Sequence, residues 1–159
     1  MWLPLRSVEE IQSFLTAVGG FHDGALREFA VSTETYVAAD LSTACPDHLD
    51  TWARIHLQRQ YQDPAAFELL CRGVSHLQFT PTLDGCNSIV FSGDLRVEDS
   101  AFRLTLEYLN SPMRPPTQEM LARIAAAPPP GLTLLAQSIE WRPIELTGDR
   151  LLYVAPQRR

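Results

Sequence analysis

Hydrophobic residues near the N-terminus repeat at the spacing of an amphipathic helix. The positions that share one helical face are Val8, Ile11, Leu15 and Val18, with Phe14 alongside. Ser7 and Glu10 have the spacing of a capping box, in which each side chain accepts a hydrogen bond from the other residue's free backbone amide. Gly19 and Gly20 favour the left-handed backbone at which helices end. The pattern therefore predicts a helix that begins after Ser7 and ends at Gly19.

Beyond Gly24 the hydrophobic and polar positions alternate, which is the pattern of half-buried strands. The alternation predicts a strand around Phe29 that forms a hairpin with a second strand at residues 36–41. A long strand follows at residues 51–61. A bent or bulged strand pair then lies on either side of Gly73.

The alternation is clearer after residue 88. Residues 89–97 and 102–108 predict a second hairpin, closed by Glu98-Asp99-Ser100. In the first strand of this hairpin, the apolar residues predicted to share a face are Ile89, Phe91, Leu95 and Val97.

Polar and proline residues mark the next elements. Thr117 predicts the start of a short helix, which Pro128 ends. The helix is expected to turn three residues inward: Met120, Leu121 and Ile124. Two more strands are predicted at residues 132–141 and 151–154.

Together these elements predict an α+β fold. We expect a mostly antiparallel sheet, curled into a sandwich or half-barrel, with the N-terminal helix and one short later helix beside it. The 159 residues fit a single domain that spans residues 1–159.

The charged residues narrow the range of functions. All 13 basic residues are arginines, which excludes a P-loop lysine and a lysine Schiff base. The net charge of −6 argues against a nucleic-acid partner, because phosphate binding requires a basic face. A partner recruited by charge is instead expected to be basic. No motif indicates a cofactor.

The apolar segments and the cysteines indicate the cellular compartment of the protein. No segment has the length of a membrane span and no secretory signal is visible, so we expect a cytoplasmic protein without a membrane partner. The sequence has an odd number of cysteines, Cys45, Cys71 and Cys86, and no C-x-x-C pair. This pattern fits a reducing compartment. Cys71 lies in an apolar run and is expected to be buried rather than reactive.

The tetrapeptide Phe21-His22-Asp23-Gly24 places an imidazole beside a carboxylate at the junction of helix and strand. His22 and Asp23 are therefore the candidate catalytic residues of a metal-assisted hydrolase. His56 and His76 become further candidate metal ligands if the sheet brings them close. The structural alternative is that Asp23 caps the turn while His22 packs at the end of the sheet.

A candidate binding face lies on the strand at residues 51–61. Trp52, Arg54 and His56 alternate with apolar residues, so they project from one side of that strand. Tryptophan and arginine are enriched at binding hot spots. The alternative is an ordinary solvated strand face with Trp52 under the neighbouring loop.

The order of these features resembles a class of small uncharacterised bacterial proteins. In that class the tripeptide Phe21-His22-Asp23 would open the first strand after a capped helix, and a segment such as Ile139-Glu140-Trp141 would close a run of antiparallel strands. The layout is similar to that of immunity proteins of toxin systems. The resemblance implies a strand-rich, acidic and non-catalytic protein.

These observations lead to three functional hypotheses. The first is a non-catalytic binding module that acts through protein–protein contacts, such as an immunity-type inhibitor of a basic partner. The alternative is a metal-assisted hydrolase that uses His22 and Asp23. A second alternative is a small-ligand carrier with a pocket between the sheet and a helix. An open sheet edge would also allow a homodimer.

Overall fold

A computed structural model describes residues 1–45, 47–48, 51–59 and 63–145. The helices are α1 (Val8–Ala17) and α2 (Gln118–Ala126), and a short 3-10 helix (Gly19–Phe21) follows α1. The strands in chain order are β1 (Leu3–Leu5), β2 (Gly24–Ser32), β3 (Tyr36–Val37), β4 (Thr43–Ala44), β5 (Trp52–Arg59), β6 (Ala66–Thr80), β7 (Ile89–Glu98), β8 (Ala101–Tyr108) and β9 (Gly131–Ile144).

The main sheet is antiparallel and has the strand order β1-β9-β6-β5-β2-β7-β8. β8 also pairs with β9, so the pairings of six strands close into a ring. β9 allows this because its residues 131–136 pair with β8 while its residues 139–141 pair with β1. The sheet is therefore curled round on itself. This confirms the predicted α+β fold with a mostly antiparallel, curled sheet, an N-terminal helix and one short later helix.

The pairing between β6 and β9 is the longest in the curled sheet. Residues 66–80 pair with residues 131–144, with an irregular register just after Gly73. Gly73 has a φ of +61°, and a Cβ atom there would lie 2.6 Å from Oε1 of Gln137 on β9. A side chain is therefore disfavoured at this position by the backbone conformation, whereas the atoms nearest to it belong to the flexible, exposed side chain of Gln137. The two strands predicted on either side of Gly73 form one continuous strand.

The core fills the inside of the curled sheet. Alternate positions along the strands point inward and carry apolar side chains, as a sheet with one buried face requires. Those among the most deeply buried are Ile55, Leu57, Phe67, Leu69, Leu95, Leu104, Leu106, Leu132 and Leu134. Burial of this apolar surface is the dominant favourable contribution to folding.

α1 packs onto the same core. Its capping box forms as predicted: the hydroxyl of Ser7 accepts from the amide of Glu10, and the carboxylate of Glu10 accepts from the amide of Ser7. Phe14 of this helix is 1% exposed. Its ring is 5.8 Å from that of Phe67 and 5.1 Å from that of Trp141, measured between ring centroids. Helix and sheet are thus joined by aromatic side chains.

The hairpin predicted between the strand around Phe29 and residues 36–41 is wrong. β2 pairs with β5, whereas β3 pairs with β4 in a separate two-stranded sheet. Oδ1 of Asp40 accepts hydrogen bonds from the amide and the hydroxyl of Ser42, at 3.0 and 2.6 Å. These bonds also lower the pKa of Asp40. These local side-chain hydrogen bonds form a tight turn directly after β3, so β3 is shorter than the predicted strand.

The start of β7 also differs from the prediction. The register between β7 and β8 shifts between Val90 and Ser92, so the alternation of the two faces is interrupted there. Val90 is fully buried. Ile89, Phe91 and Val97, predicted to share a face with Leu95, are 37%, 49% and 47% exposed while Leu95 is buried.

α2 forms where it was predicted, with Thr117 as its N-cap. Met120 and Ile124 are half-buried, but Leu121 is 44% exposed, so only two of the three predicted residues turn inward. The strand predicted at residues 151–154 lies outside the described residues. Within the described ranges, none of the helices has the length and apolar character needed to cross a membrane.

The cysteines differ in accessibility, and this leads to a testable expectation. Cys45 is exposed, whereas Cys71 and Cys86 are buried, as predicted for Cys71. Burial raises the pKa of the Cys71 thiol to about 12, so the reactive thiolate is scarce at neutral pH. We expect a thiol reagent to modify Cys45 in the native protein and all three cysteines after unfolding, as peptide mass spectrometry would show. Rapid labelling of Cys71 in the native state would contradict this.

Candidate functional site

His22 and Asp23 lie side by side at the junction between α1 and β2. Nδ1 of His22 is 3.0 Å from Oδ2 of Asp23, and both side chains are more than half exposed. The His22 ring is 5.9 Å from the ring of Phe91. The amide of Asp23 donates to the carbonyl of Val90, which fixes the junction against β7. The pair therefore forms part of an exposed surface at the start of β7.

The backbone of this junction is held in an unfavourable conformation. Phe21 and Asp23 have φ angles of +68° and +57°, a region that costs a residue other than glycine about 1–3 kcal/mol. Phe21 is buried against Gly93, where an added Cβ atom would lie 2.5 Å from the ring. Burial of the Phe21 ring offsets the cost and sets the direction in which His22 and Asp23 project.

The candidate metal ligands do not assemble into one site. In the part of the chain that the structure describes, no three His, Cys, Asp or Glu side chains are arranged to hold a metal ion. His56 contacts Glu28 and Glu68, and His76 is exposed on the far half of β6. Of the four candidate ligands, His22 and Asp23 remain as a neighbouring pair. The hydrolase hypothesis therefore depends on these two residues.

Trp52, Arg54 and His56 share the outer face of β5, as predicted. Strand pairing places His56 between Glu28 of β2 and Glu68 of β6, and places Glu68 opposite Arg142 of β9. A row of charged side chains thus crosses four adjacent strands. This face is not an ordinary solvated surface, because His56 is 7% exposed and Glu68 is fully buried.

Three basic side chains surround the carboxylate of Glu68. Nε2 of His56 is 2.7 Å and Nε of Arg54 is 2.9 Å from Oε1. Nε and Nη2 of Arg142 are each 2.5 Å from Oε2. Both oxygens of the carboxylate are therefore occupied, and this compensates the several kcal/mol that burying a carboxylate costs.

The two arginines are bound differently. Arg142 hydrogen-bonds to Glu68, whereas the N–H at Nε of Arg54 is close to Glu68 but does not point at it and has no hydrogen-bond partner in the described part of the chain. Glu68 therefore holds the side chain of Arg142 by hydrogen bonds as well as by charge, whereas it holds the side chain of Arg54 chiefly by charge.

Two tryptophans flank the arginines. The guanidinium carbon of Arg142 is 4.4 Å from the centre of a Trp2 ring, and that of Arg54 is 6.0 Å from the centre of a Trp52 ring. Trp2 reaches this position because β1, directly after it, pairs with β9 beside Arg142. Cation–π contacts of this kind contribute about 0.5–1 kcal/mol at exposed sites.

We call this surface the Trp–Arg face. Its members are Trp2, Trp52, Arg54, His56, Glu68 and Arg142. The sequence pattern predicted the three residues of β5 but missed the other three. The available signal was Glu68 itself, a single acidic residue within the apolar run at residues 67–71.

A groove of about 150 Å³ lies on the outer side of β6, β8 and β9. Its lining includes Gln78, Thr105, Glu107, Thr133 and Pro130. The small-ligand hypothesis placed its pocket elsewhere, between the curled sheet and a helix. In α1 the residues Ile11 and Phe14 are buried in the core. The groove is also smaller than the roughly 300–1,000 Å³ of typical ligand sites.

Comparison of the chain with protein-family models, with curated proteins and with solved structures found no match. The resemblance to immunity proteins therefore stays a prediction. The Trp–Arg face and the His22–Asp23 pair are the features from which a function can be inferred.

Proposed function

We propose that the protein is a non-catalytic binding module that acts through protein–protein contacts made by the Trp–Arg face. The observation that carries the proposal is the buried carboxylate of Glu68, which holds Arg54, His56 and Arg142 on the outside of the sheet. Arginine and tryptophan are the residue types most enriched in interface hot spots. This face brings two of each together.

The fixed positions of these side chains favour binding. An arginine that is ordered only when a partner arrives loses rotamer freedom, at a cost of about 0.5–1.5 kcal/mol per side chain. Arg54 and Arg142 are restrained in the free protein by Glu68 and by the two indole rings. Most of that ordering cost has therefore been met before a partner binds.

Charge supports a protein partner over a nucleic acid. The two arginines are balanced by Glu28 and Glu68, so the row of charges lacks the excess positive charge that a phosphate backbone requires. The net charge of −6 favours the approach of a basic protein over long distances, as an immunity-type inhibitor would require. We further propose a cytoplasmic location, which the three free thiols support.

The experiment is a comparison of three immobilised proteins exposed to lysate of the native host: the wild type, Trp52→Ser and Leu121→Ser. Trp52 lies on the Trp–Arg face, whereas Leu121 is an exposed residue of α2 and serves as the control. We expect a protein that the wild type and Leu121→Ser retain, and whose affinity, measured with the purified partner, falls at least tenfold in Trp52→Ser. Circular dichroism would verify that the variants are folded.

Two outcomes would contradict this function. One is a partner whose affinity is equal for the wild type and Trp52→Ser, because the Trp–Arg face would then not be the binding surface. The other is a partner-free protein that hydrolyses a phosphoester and loses this activity on His22→Ala substitution.

A further inference from the structure

We infer that the partner of the Trp–Arg face presents a carboxylate group, from an aspartate or glutamate side chain, to the outward N–H groups of Arg54 and Arg142. This inference rests on the proposed function and adds the chemistry of the group that is recognised. It concerns a local contact and is compatible with a partner of basic net charge.

The first argument is the number of unused donors. Each guanidinium group carries five N–H donors. Glu68 takes only the edge of Arg142 formed by Nε and Nη2, and lies near only Nε of Arg54. The remaining donors of both groups have no partner among the described residues, and both side chains are about two-fifths exposed. Hydrogen-bond donors therefore point from this face toward a partner.

The second argument is the position of the neighbouring carboxylates. Glu68 is fully buried and both of its oxygens are in use, so an approaching group meets guanidinium rather than carboxylate. Glu28 lies beyond His56, with 3.6 Å between its Oε2 and Nδ1 of the ring, and repels an anion on the β2 side. A bound carboxylate is thus expected near Arg54 and Arg142 and away from β2.

The charges on the flanking positions agree with this placement. Glu140 is also on β9 and is paired with Arg72, whose Nε lies 3.8 Å from its Oε2. The side chain of Arg72 is 54% exposed and that of Glu140 is 30% exposed, so the guanidinium is the more accessible group of this ion pair. The side chains of Arg54, Arg72 and Arg142 are all more exposed than those of the neighbouring acidic residues Glu28, Glu68 and Glu140.

The third argument is shape. A planar guanidinium group binds a planar carboxylate through two parallel hydrogen bonds, and the indole rings of Trp2 and Trp52 lie beside the two guanidinium groups of this face. A phosphate brings more charge than this balanced face can compensate. The geometry therefore favours a carboxylate over a phosphate.

The test uses acetate as the probe, because acetate carries the carboxylate group of aspartate and glutamate without the rest of the residue. Indole N–H signals of the 15N-labelled full chain would be followed by NMR as sodium acetate replaces sodium chloride at constant ionic strength. We expect the Trp2 and Trp52 signals to shift and saturate, while the signal of Trp141, which packs on Phe14 in the core, stays in place. Sodium phosphate at the same ionic strength should shift them less.

Two variants sharpen the measurement. Arg54→Gln removes one charged donor group and should weaken acetate binding about tenfold, the effect of losing one charge-assisted hydrogen bond. Arg96→Gln is the control, because Arg96 is an exposed arginine of β7 that pairs with Asp94 and Glu98. It should leave acetate binding unchanged. Saturable shifts that are equal in both variants would overturn the inference.

The remaining outcomes separate this inference from the proposed function. Absence of saturable shifts with acetate, or tighter binding of phosphate, overturns the carboxylate inference even if a Trp52-dependent partner is found. Acetate binding at Arg54 without any Trp52-dependent partner supports the carboxylate site and overturns the proposed function.

Discussion

Replacing Glu68 by glutamine is expected to lower the free energy of unfolding by about 3–5 kcal/mol, the usual cost of removing one partner from a buried ion pair. Glutamine has nearly the same size, so packing is retained. Its amide carries no charge, and its NH₂ group faces donors where a carboxylate oxygen now accepts. Arg54 and Arg142 would then lie close together without the negative charge between them. Urea denaturation followed by circular dichroism measures the loss.

The matched control is Glu140→Gln on the same side of the sheet. Glu140 is 30% exposed and lies 3.8 Å from Arg72, so its ion pair is screened by water and contributes less than about 1 kcal/mol. If both substitutions reduced stability equally, the Glu68 cluster would have no special role in the fold. If Glu68→Gln were as stable as the wild type, the cluster would not be restraining the arginines.

Local patterns accounted for the parts of the fold that depend on neighbouring residues. The capping box joins Ser7 and Glu10, which are three residues apart in the sequence, and it formed as predicted. The alternation within β5 correctly placed Trp52, Arg54 and His56 on one face. In both cases the information lies within one helical turn or one strand.

Errors arose where a single residue changes the alternation or a turn. The irregular register between Val90 and Ser92 interrupts the alternation, so Phe91 and Leu95, which an unbroken alternation would place on one face, are exposed and buried respectively. A one-residue shift has this effect because side chains alternate with a period of two. Likewise, the hydrogen bonds that Ser42 donates to Asp40 ended a strand that its hydrophobic pattern would have extended.

The candidate site was only half predictable for a related reason. Glu68 and Arg142 are 74 positions apart and meet because β6 pairs with β9 in one particular register. That register is set by the curled sheet as a whole, in which β8 and β1 share one edge of β9. A single sequence shows the acidic residue in an apolar run, but it does not show which arginine will cover it.

Substitution of Phe14 by alanine is expected to cost about 3–5 kcal/mol, because it leaves a cavity where the ring of a fully buried phenylalanine had been. This ring touches Phe21 of the strained junction, Phe67 of β6 and Trp141 of β9. Its loss should therefore loosen α1 and also alter the near-UV circular dichroism of Trp141. Val8→Ala is the control in the same helix, since Val8 is 61% exposed and should change stability by less than about 0.5 kcal/mol. Equal effects of the two substitutions would show that α1 is not anchored through Phe14.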